Sequence, residues 1–304
     1  MKSQTSDRRT GGALEPWNHG RGRMSQLPIM QGFELTDAEF GKISRLVYEQ
    51  CGINLNDGKK ELVKARLGKR IRKGHFGSFR DYYQAVVRDQ SGRELVHLLD
   101  AISTNFTFFF REQDHFSYLR SEVLPGLLEK KRNNGKTLRF WSAGCSSGEE
   151  PYSIAITLLE EMKNPPAWTL SILATDISTK ALNAAGSGVF HKERVHSIPS
   201  PLVKKYFLKG DGNWGDYVRV KDHVKERVQF RRLNLMESFR FQESFDCIFC
   251  RNVMIYFDKK TQADLVNRFH GCLATGGFLF IGHSESLAGI PHPFRYIRPA
   301  IYRK

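Results

Sequence analysis

The chain has 304 residues, 40% of them hydrophobic, and a formal net charge of +15 at pH 7. This length is enough for two ordinary domains, whereas no apolar run approaches the roughly 20 residues of a membrane-spanning helix. Residues 1–23 lack the apolar segment of a secretory signal and the five cysteines have no framework spacing, so we expect a cytoplasmic protein. The net positive charge by itself is explained either by nucleic acid or by an acidic protein partner.

The N-terminal part of the chain predicts an all-helical domain. Thr36-x-x-Glu39 is a capping-box signature in front of an apolar helical pattern that ends at Gly52. Further helices, identified from the spacing of their apolar residues, are predicted over about 57–73, 78–87, 93–102 and 116–131. The residues before Phe33 are rich in Gly, Arg and Ser, and we expect them to be disordered.

The second predicted helix is strongly basic. From Lys59 to Lys73 it holds eight basic residues and one acid, Glu61. Five of the basic residues fall within an arc of about 100° beside a narrow apolar stripe, because successive helical residues are about 100° apart. A charged run is usually a solvated face, but this one is more one-sided than solubility requires. We therefore interpret it as a docking surface.

From about residue 137, apolar strands alternate with helices, which predicts a mostly parallel, doubly wound α/β sheet with helices on both faces. Its strands are predicted over about 138–144, 170–175, 228–233, 245–250, 278–283 and 296–303. Its helices are predicted over about 149–162, 179–186 and 259–273. Residues 187–227 interrupt this alternation with a hairpin at 206–220, which we expect to be too polar to join the main core and to form an external β-subdomain.

The most informative segment joins the first predicted strand to its helix. The strand continues into the small residues GCSSG (144–148), and Pro151 marks the first helical turn. Small residues let a ligand approach the backbone, and a helix N-terminus offers free N–H groups. Glu149 and Glu150 at this N-terminus would repel a pyrophosphate but favour a cation such as S-adenosylmethionine. The segment therefore favours a methyl donor over a dinucleotide.

Polar residues at the carboxyl ends of four predicted strands are expected to meet in one cleft, because ligands of open α/β sheets lie there. Besides the glycine loop, they are Asp176, Asn234, Asn252 and Tyr256. Asp176 is placed to accept hydrogen bonds from ribose hydroxyls, although it could be only a helix cap before Ser178. Asn234 could be a turn residue and Tyr256 a core tyrosine, but their joint occurrence in this order favours a cofactor cleft.

Residues 103–112 lie outside the α/β domain and combine hydrogen-bonding residues, an aromatic run and Arg111. This segment could simply join the two domains and leave Arg111 in solvent. We favour a segment that folds over the cleft and brings Arg111 into the site.

Cys247-x-x-Cys250 resembles half of a zinc site. An offset of three residues places the two thiols on opposite faces of predicted strand 245–250, and the sequence has no second pair. No metal site is therefore predicted.

Six motifs, in a fixed order, resemble those of the CheR-type chemotaxis protein methyltransferases. They are STNFTFFFREQDHF (103–116), WSAGCSSGEEPYSIA (141–155), ATDI (174–177), NL (234–235), CRNVMIYFD (250–258) and GHSE (282–285). The resemblance covers about residues 33–303. It implies an enzyme that uses S-adenosylmethionine to methylate glutamate side chains of bacterial chemoreceptors, leaving S-adenosylhomocysteine. The implied fold is a class I methyltransferase domain with a small inserted β-subdomain, preceded by an all-helical domain.

The resemblance also implies roles for individual residues. Arg111 and Tyr256 resemble the catalytic residues beside the transferred methyl group. The residues that resemble cofactor ligands are Asn105, Thr107, Arg111, Ala143, Glu149, Asp176, Asn234, Leu235, Asn252 and Val253. The basic helix at 59–73 resembles the face that docks on cytoplasmic helices of chemoreceptors, and the β-subdomain of some members binds a receptor C-terminal peptide.

We divide the chain into four parts on these grounds. They are a disordered tail at 1–32, a helical receptor-docking domain at 33–118, a connecting helix and linker at 119–136, and a methyltransferase domain at 137–304 with the β-subdomain at about 187–227.

Three alternative functions remain open. An RNA or small-molecule methyltransferase fits the fold and the charge, although no aromatic stacking platform accompanies the basic helix. A non-catalytic sensor of S-adenosylmethionine is disfavoured by the intact Arg111, Asp176, Asn252 and Tyr256. A nicotinamide-dependent oxidoreductase is disfavoured by the two acids that follow the glycine loop. We expect neither nucleic acid binding nor membrane insertion.

Overall fold

The computed structural model describes residues 33–133, 135–162 and 168–304, so the tail predicted at 1–32 lies outside the described residues. The N-terminal helices are α1 (Asp37–Cys51), α2 (Lys60–Lys73), α3 (Phe79–Arg88) and α4 (Arg93–Ile102). The predicted capping box begins α1, where the Thr36 N–H donates to the Glu39 carboxylate at 2.9 Å. Gly52 ends this helix, as predicted, with a φ of 72° in the left-handed region.

The four helices pack around a core of their own. The predicted apolar stripe of α2, formed by Val63, Leu67 and Ile71, is completely buried in it. Phe79 and Tyr82 of α3 belong to the same core. Burial of this stripe fixes which side of α2 faces solvent, because the remaining residues of the helix lie around it.

The connecting helix has an irregularity that the sequence pattern did not predict. Instead of one helix at 116–131, the chain forms α5 (Gln113–Tyr118), a π-helical turn (Leu119–Val123) and α6 (Leu124–Lys131). Pro125 is the second residue after the π-helical turn and has no N–H to donate. A change of helical register at this point is what a π-bulge provides.

The strands of the described residues form one large and one small sheet. They are β1 (Thr137–Ala143), β2 (Thr169–Asp176), β3 (Val189–His191), β4 (Phe207–Lys209), β5 (Tyr217–Val220), β6 (Val228–Arg232), β7 (Phe245–Cys250), β8 (Leu273–Ile281), β9 (Arg295–Arg298) and β10 (Ile301–Arg303). The large sheet has the order β6-β2-β1-β7-β8-β10-β9, in which β10 is antiparallel to both neighbours and all other pairs are parallel.

Two strand predictions at the end of the chain need correction. The predicted strand at 296–303 is two strands, because Pro299 and Ala300, the latter with a φ of 61°, turn the chain between β9 and β10. Strand β8 begins at Leu273, five residues before the predicted 278, but its register with β7 shifts between Phe245 and Cys247, and regular pairing resumes at Phe278. Gly276, with a φ of 80°, lies in this irregularity, so the predicted glycine turn is a bulge inside the strand.

Helices cover both faces of the large sheet, as predicted. They are α7 (Glu149–Glu161), α8 (Thr179–Ser187) and α11 (Lys259–Cys272), whereas the insertion adds the shorter helices α9 (Ser200–Tyr206) and α10 (Asp222–Lys225), which were not predicted. Cys247 belongs to the core on the α7 side and Cys250 to the core on the α11 side, which confirms that the two thiols face opposite ways. The connections after β1 and β7 leave in opposite directions, and such a switch point opens a crevice at the strand ends.

The small sheet, in the order β3-β5-β4, confirms the predicted hairpin but corrects its predicted isolation from the main core. The rings of Phe190 and Phe207 lie 5.0 and 5.4 Å from the ring of Phe109, inside the core of the large sheet. Val218 and Val220 of β5 are buried there too, while Tyr217 and Arg219, which alternate with them, are exposed. The strands look polar on average because only one face of this sheet is apolar.

Candidate active site

A cleft of about 1210 Å³, including its open mouth, lies at the carboxyl ends of β1, β2, β6 and β7. It brings together most of the residues that the sequence predicts for the site, namely Asn105, Thr107, Arg111, Asp176, Asn234, Leu235, Asn252, Val253 and Tyr256. Ala143 and Glu149 are fully buried and are not among the described residues that line it.

The glycine loop and Asp176 form one wall of the cleft. The Asp176 carboxylate accepts the Ser146 N–H at 2.8 Å and the Ser178 N–H at 2.9 Å, whereas Ser178 itself caps α8 by accepting the Ala181 N–H at 3.1 Å. Burial raises the pKa of Asp176, and these backbone bonds partly offset that shift. Gly144 has a φ of 88°, and a Cβ there would lie 2.4 Å from Val253, so only glycine fits at this wall.

The two acids at the start of α7 face different surroundings. Glu149 pairs with Arg194 of the insertion and accepts the Ser147 hydroxyl at 2.7 Å. Glu150 instead lines the cleft, where it accepts the Ser142 hydroxyl at 2.6 Å. Burial raises the pKa of Glu150. Both acids were predicted to favour a cation, and Glu150 is the one that lines the cleft.

Residues 103–112, here called the roof segment, lie against the cleft and are held from both domains. From the α/β domain, the Ser146 hydroxyl donates to the Asn105 carbonyl at 3.0 Å and the Ser153 hydroxyl accepts the Phe110 N–H at 2.9 Å. From α2, Arg66 donates to the Thr104 hydroxyl at 2.9 Å. These bonds fix the roof segment over the strand ends.

Arg111 lies at the mouth of the cleft between aromatic rings. Its guanidinium carbon is 5.9 Å from the ring centres of both Phe106 and Phe108, and it donates to the Phe106 carbonyl at 3.0 Å. Phe106 is 68% exposed, so this cluster faces solvent. A guanidinium has five N–H donors, and most of them are available for an anion.

A buried arginine connects the roof segment to the sheet. The Arg251 side chain is 2% exposed and donates to Glu112 at 3.1 Å, to Glu150 at 2.9 Å and to the carbonyl of Arg111. Burial alone would raise the pKa of Glu112, but the Arg251 guanidinium and the His283 N–H lower it below its ordinary value. Arg251 therefore ties together a cleft acid and the backbone that carries Arg111.

Tyr256 lies in a loop with defined hydrogen bonds. The loop, residues 251–257, follows β7 and ends in a short 3₁₀ turn (Met254–Tyr256). Its Asn252 has a φ of 59°, and the Tyr256 carbonyl accepts the Asn54 N–H at 2.9 Å. Arg111 and Tyr256 thus border the same cleft although they lie far apart in the sequence.

Two family models match the chain: the CheR methyltransferase all-alpha domain over 38–103 and the CheR methyltransferase SAM binding domain over 105–302. The chain belongs to the CheR methyltransferase family. The predicted class I fold with a helical N-terminal domain, S-adenosylmethionine as cofactor and enzymatic methyl transfer are therefore confirmed.

Full-length relatives carry the same assignment. The chain is 43% identical over 273 residues to a chemotaxis protein methyltransferase of Borreliella burgdorferi. The aligned residues make up 89% of this chain and 95% of the relative. It is 39% identical to chemotaxis protein methyltransferase 2 of Pseudomonas aeruginosa, over 90% of this chain and 95% of the relative. It is 36% identical to the chemotaxis protein methyltransferase of Escherichia coli, over 91% of this chain and 94% of the relative. Within the part of the chain that the structure describes, no helix has the length and apolar character to cross a membrane.

The helical domain of this CheR methyltransferase contributes a side of the cleft that sequence reasoning missed. The contributing residues are Cys51, Ile53, Asn54, Leu55, Lys59 and Leu62. Asn234 joins this side to the α/β domain, since its side-chain amide donates to the Gln50 carbonyl at 2.6 Å. Gly52 allows close contact, because a Cβ there would lie 2.4 Å from Met236. The apolar Ile53 and Leu55 outside any helix are the only sequence signal for it.

Glu112, His115 and His283 of the CheR methyltransferase have ligand atoms within 4.8 Å of one another. Burial lowers the pKa of His115 to about 3, and the nearby Arg251 adds to this effect, so the ring is neutral at pH 7. Both oxygens of Glu112 are already used, by Arg251 and by the His283 N–H at 3.1 Å. Glu112 and the His283 N–H belong to the hydrogen-bond network of the site, whereas neither ring nitrogen of His115 has a hydrogen-bond partner among the described residues. We propose no metal there.

Proposed function

We propose that this CheR methyltransferase transfers the methyl group of S-adenosylmethionine to glutamate carboxylates on cytoplasmic helices of chemoreceptors. The observation that carries the proposal is the meeting of Arg111 and Tyr256 at the mouth of a cleft that also contains Asp176 and Glu150. A cationic cofactor fits beside the two acids, and an anionic acceptor fits at the arginine. We place the enzyme in the cytoplasm, where such receptor helices lie.

The cofactor is proposed to lie along the strand ends. Asp176 would accept the ribose hydroxyls, since each of its oxygens keeps a lone pair beyond its backbone bond. Asn234, Leu235, Asn252 and Val253 would contact the adenine side of the cofactor, and Asn105 and Thr107 would cover it. The methionine ammonium would meet Glu150. The contacts of Ala143 and Glu149 with the cofactor remain predictions. Glu149 is paired with Arg194, and this ion pair would have to break before the Glu149 carboxylate could bind the cofactor.

The chemistry needs positioning more than proton transfer. A glutamate carboxylate has an ordinary pKa of about 4.3 and is already ionised at pH 7. One of its oxygens forms a bond to the methyl carbon while the sulfur–methyl bond breaks, and the sulfonium leaves as a neutral thioether. Arg111 would hold the carboxylate and the Tyr256 hydroxyl would hydrogen-bond its other oxygen. Opposite charges are lost in the step, so a cleft that excludes water favours it.

Receptor docking is proposed on the exposed basic residues of α2. Lys69, Arg72 and Lys73 are exposed on this helix. Arg66 is bonded to the roof segment and Arg70 is paired with Glu94, so these two are less available to a partner. An acidic receptor helix would be attracted by the exposed residues and oriented beside the cleft.

A second contact is proposed at the β-subdomain. Leu208, Trp214 and Tyr217 are exposed there, and Trp214 is 61% exposed with its ring 5.4 Å from that of Tyr217. This apolar group could hold a receptor C-terminal peptide. Among the strands that the structure describes, the outer strands of the small sheet, β3 and β4, each pair with β5 alone, so a peptide strand could also pair with them.

The acceptor class is tested with labelled methyl donor. The enzyme is incubated in parallel with receptor-containing membranes, with the same membranes after removal of receptor, and with total RNA. We expect label that is released by mild base, as methyl esters are, only in the first sample. Base-stable label in RNA, or equal label with and without receptor, would reject the proposal.

A further inference from the structure

The turn at residues 282–285, after β8, belongs to none of the roles assigned so far. Its Glu285 carboxylate accepts backbone N–H groups from the Tyr256 loop. One oxygen accepts the Asn252 N–H at 2.9 Å, and the other accepts the Ile255 N–H at 3.2 Å. The first oxygen also accepts the N–H of Gly282 at 2.5 Å.

These N–H groups have few other partners available. Asn252 has left-handed backbone geometry, and Ile255 lies in the first turn of a short helix, where N–H groups lack intrahelical acceptors. An ionised carboxylate has only acceptor oxygens, so both of its oxygens can accept backbone N–H groups at once. A glutamine amide has one acceptor oxygen, and its NH₂ group would face the remaining N–H donors. Glu285 therefore holds the Tyr256 loop in its observed path.

Glycine at 282 makes this contact possible. A Cβ at this position would lie 2.8 Å from the Asn252 backbone nitrogen and 2.9 Å from the Glu285 carboxylate. Real Cβ atoms do not approach so closely, so a larger residue would displace one or both groups. Gly282 and Glu285 thus form a matched pair around the start of the Tyr256 loop.

The same turn also contacts the roof segment. The His283 N–H donates to Glu112 at 3.1 Å, and the Asn252 side-chain amide donates to the same Glu112 oxygen at 3.3 Å. The turn is therefore bonded both to the loop that carries Tyr256 and to the residue that follows Arg111. Its geometry helps to set the separation of these two groups.

We propose that Glu285 is a positioning residue that acts through Tyr256, by fixing the loop that presents its hydroxyl to the acceptor carboxylate. This inference rests on the proposed function, in which Tyr256 contacts the acceptor. It does not require Glu285 to touch the cofactor or the substrate.

The matched variants are Glu285→Gln and Asp246→Asn. Asp246 is also a buried carboxylate that accepts a backbone N–H, from Arg139 at 2.9 Å, but it lies at the opposite end of β7. We expect Glu285→Gln to lower kcat by about tenfold or more, as misplacement of a reacting group does, while the Kd for S-adenosylmethionine changes less than about threefold. Asp246→Asn should lower the melting temperature but keep kcat within about twofold at temperatures where it is folded.

Two further variants keep the inference open to refutation. In an enzyme that already carries Tyr256→Phe, adding Glu285→Gln should reduce kcat by a further factor of less than about three, because the hydroxyl that Glu285 positions is already absent. Glu285→Asp, which keeps the charge but shortens the side chain, serves if Glu285→Gln does not fold, and should show the same pattern.

The outcomes separate two kinds of failure. A wild-type kcat for Glu285→Gln, or effects that multiply fully with those of Tyr256→Phe, would overturn the positioning role. A Tyr256→Phe enzyme with wild-type kcat would overturn the proposed role of Tyr256, and with it the route by which Glu285 acts. Absence of methyl esters with the wild-type enzyme would contradict the proposed function itself.

Discussion

Replacement of Arg251 by Met tests whether the buried ion network holds the site together. Methionine keeps the unbranched stem of the arginine but leaves the Glu112 and Glu150 carboxylates without their shared cation, whose nitrogens lie 3.1 and 2.9 Å away in the native protein. Removal of one partner from a buried ion pair costs about 3–5 kcal/mol. We therefore expect the free energy of unfolding to fall by about 3–5 kcal/mol at pH 7, measured by urea denaturation followed by circular dichroism.

The matched control is Arg139→Met. Its ion pair with Glu243 is half exposed, with side chains 28% and 64% exposed, and such pairs contribute at most about 1 kcal/mol. The loss in Arg251→Met should shrink as the pH falls towards 5, because burial already raises the pKa of Glu150 and an unpaired carboxylate takes up a proton more readily. Equal losses for the two variants would refute this reasoning.

Three other perturbations have defined outcomes. Because burial lowers the pKa of His115 to about 3 in the folded protein, against an ordinary 6.5, only the unfolded chain binds this proton between these two pH values. The free energy of unfolding should therefore fall as the pH is lowered from 6.5 towards 3. Urea titrations should show a weaker fall for His115→Leu, and an equal fall would contradict the neutral, buried ring. Gly144→Ala should raise the cofactor Kd at least about tenfold in a binding titration, because its Cβ would lie 2.4 Å from Val253; unchanged binding would contradict this wall of the cleft. Charge reversal of Lys69 and Arg72 to Glu should slow receptor methylation about tenfold at low salt and less at high salt, and no change would reject the docking face.

Local signals in the sequence predicted most elements. The capping box at Thr36, the glycine at 52 and the apolar stripe of α2 depend on interactions within a few residues, and all three appear as predicted. The alternation of strands and helices also predicted the large sheet. Polarity averaged over the insertion misled the prediction for the small sheet, because Val218 and Val220 point to the core while their neighbours do not.

The parts of the site that escaped prediction depend on distant contacts or on small rotations. Glu149 and Glu150 are adjacent, and only the exact start of α7 determines which of them faces the cleft, since one residue is about 100° of rotation. The side of the cleft formed by Ile53 and Leu55 exists because the helical domain packs on the α/β domain, which no local pattern encodes. Arg251 lies within one of the six motifs, but its burial between Glu112 and Glu150 depends on contacts between residues that are far apart in the sequence.

The central claim is that Arg111 holds the acceptor carboxylate at a cleft that binds S-adenosylmethionine. Arg111→Ala and Arg111→Lys are compared with the wild-type enzyme in a cofactor titration and in a receptor methyl-ester assay. We predict that Arg111→Ala lowers the transfer rate at least about a hundredfold while the cofactor Kd rises less than about tenfold, with partial activity in Arg111→Lys. Near-normal transfer by Arg111→Ala, or equal losses of binding and transfer, would contradict it.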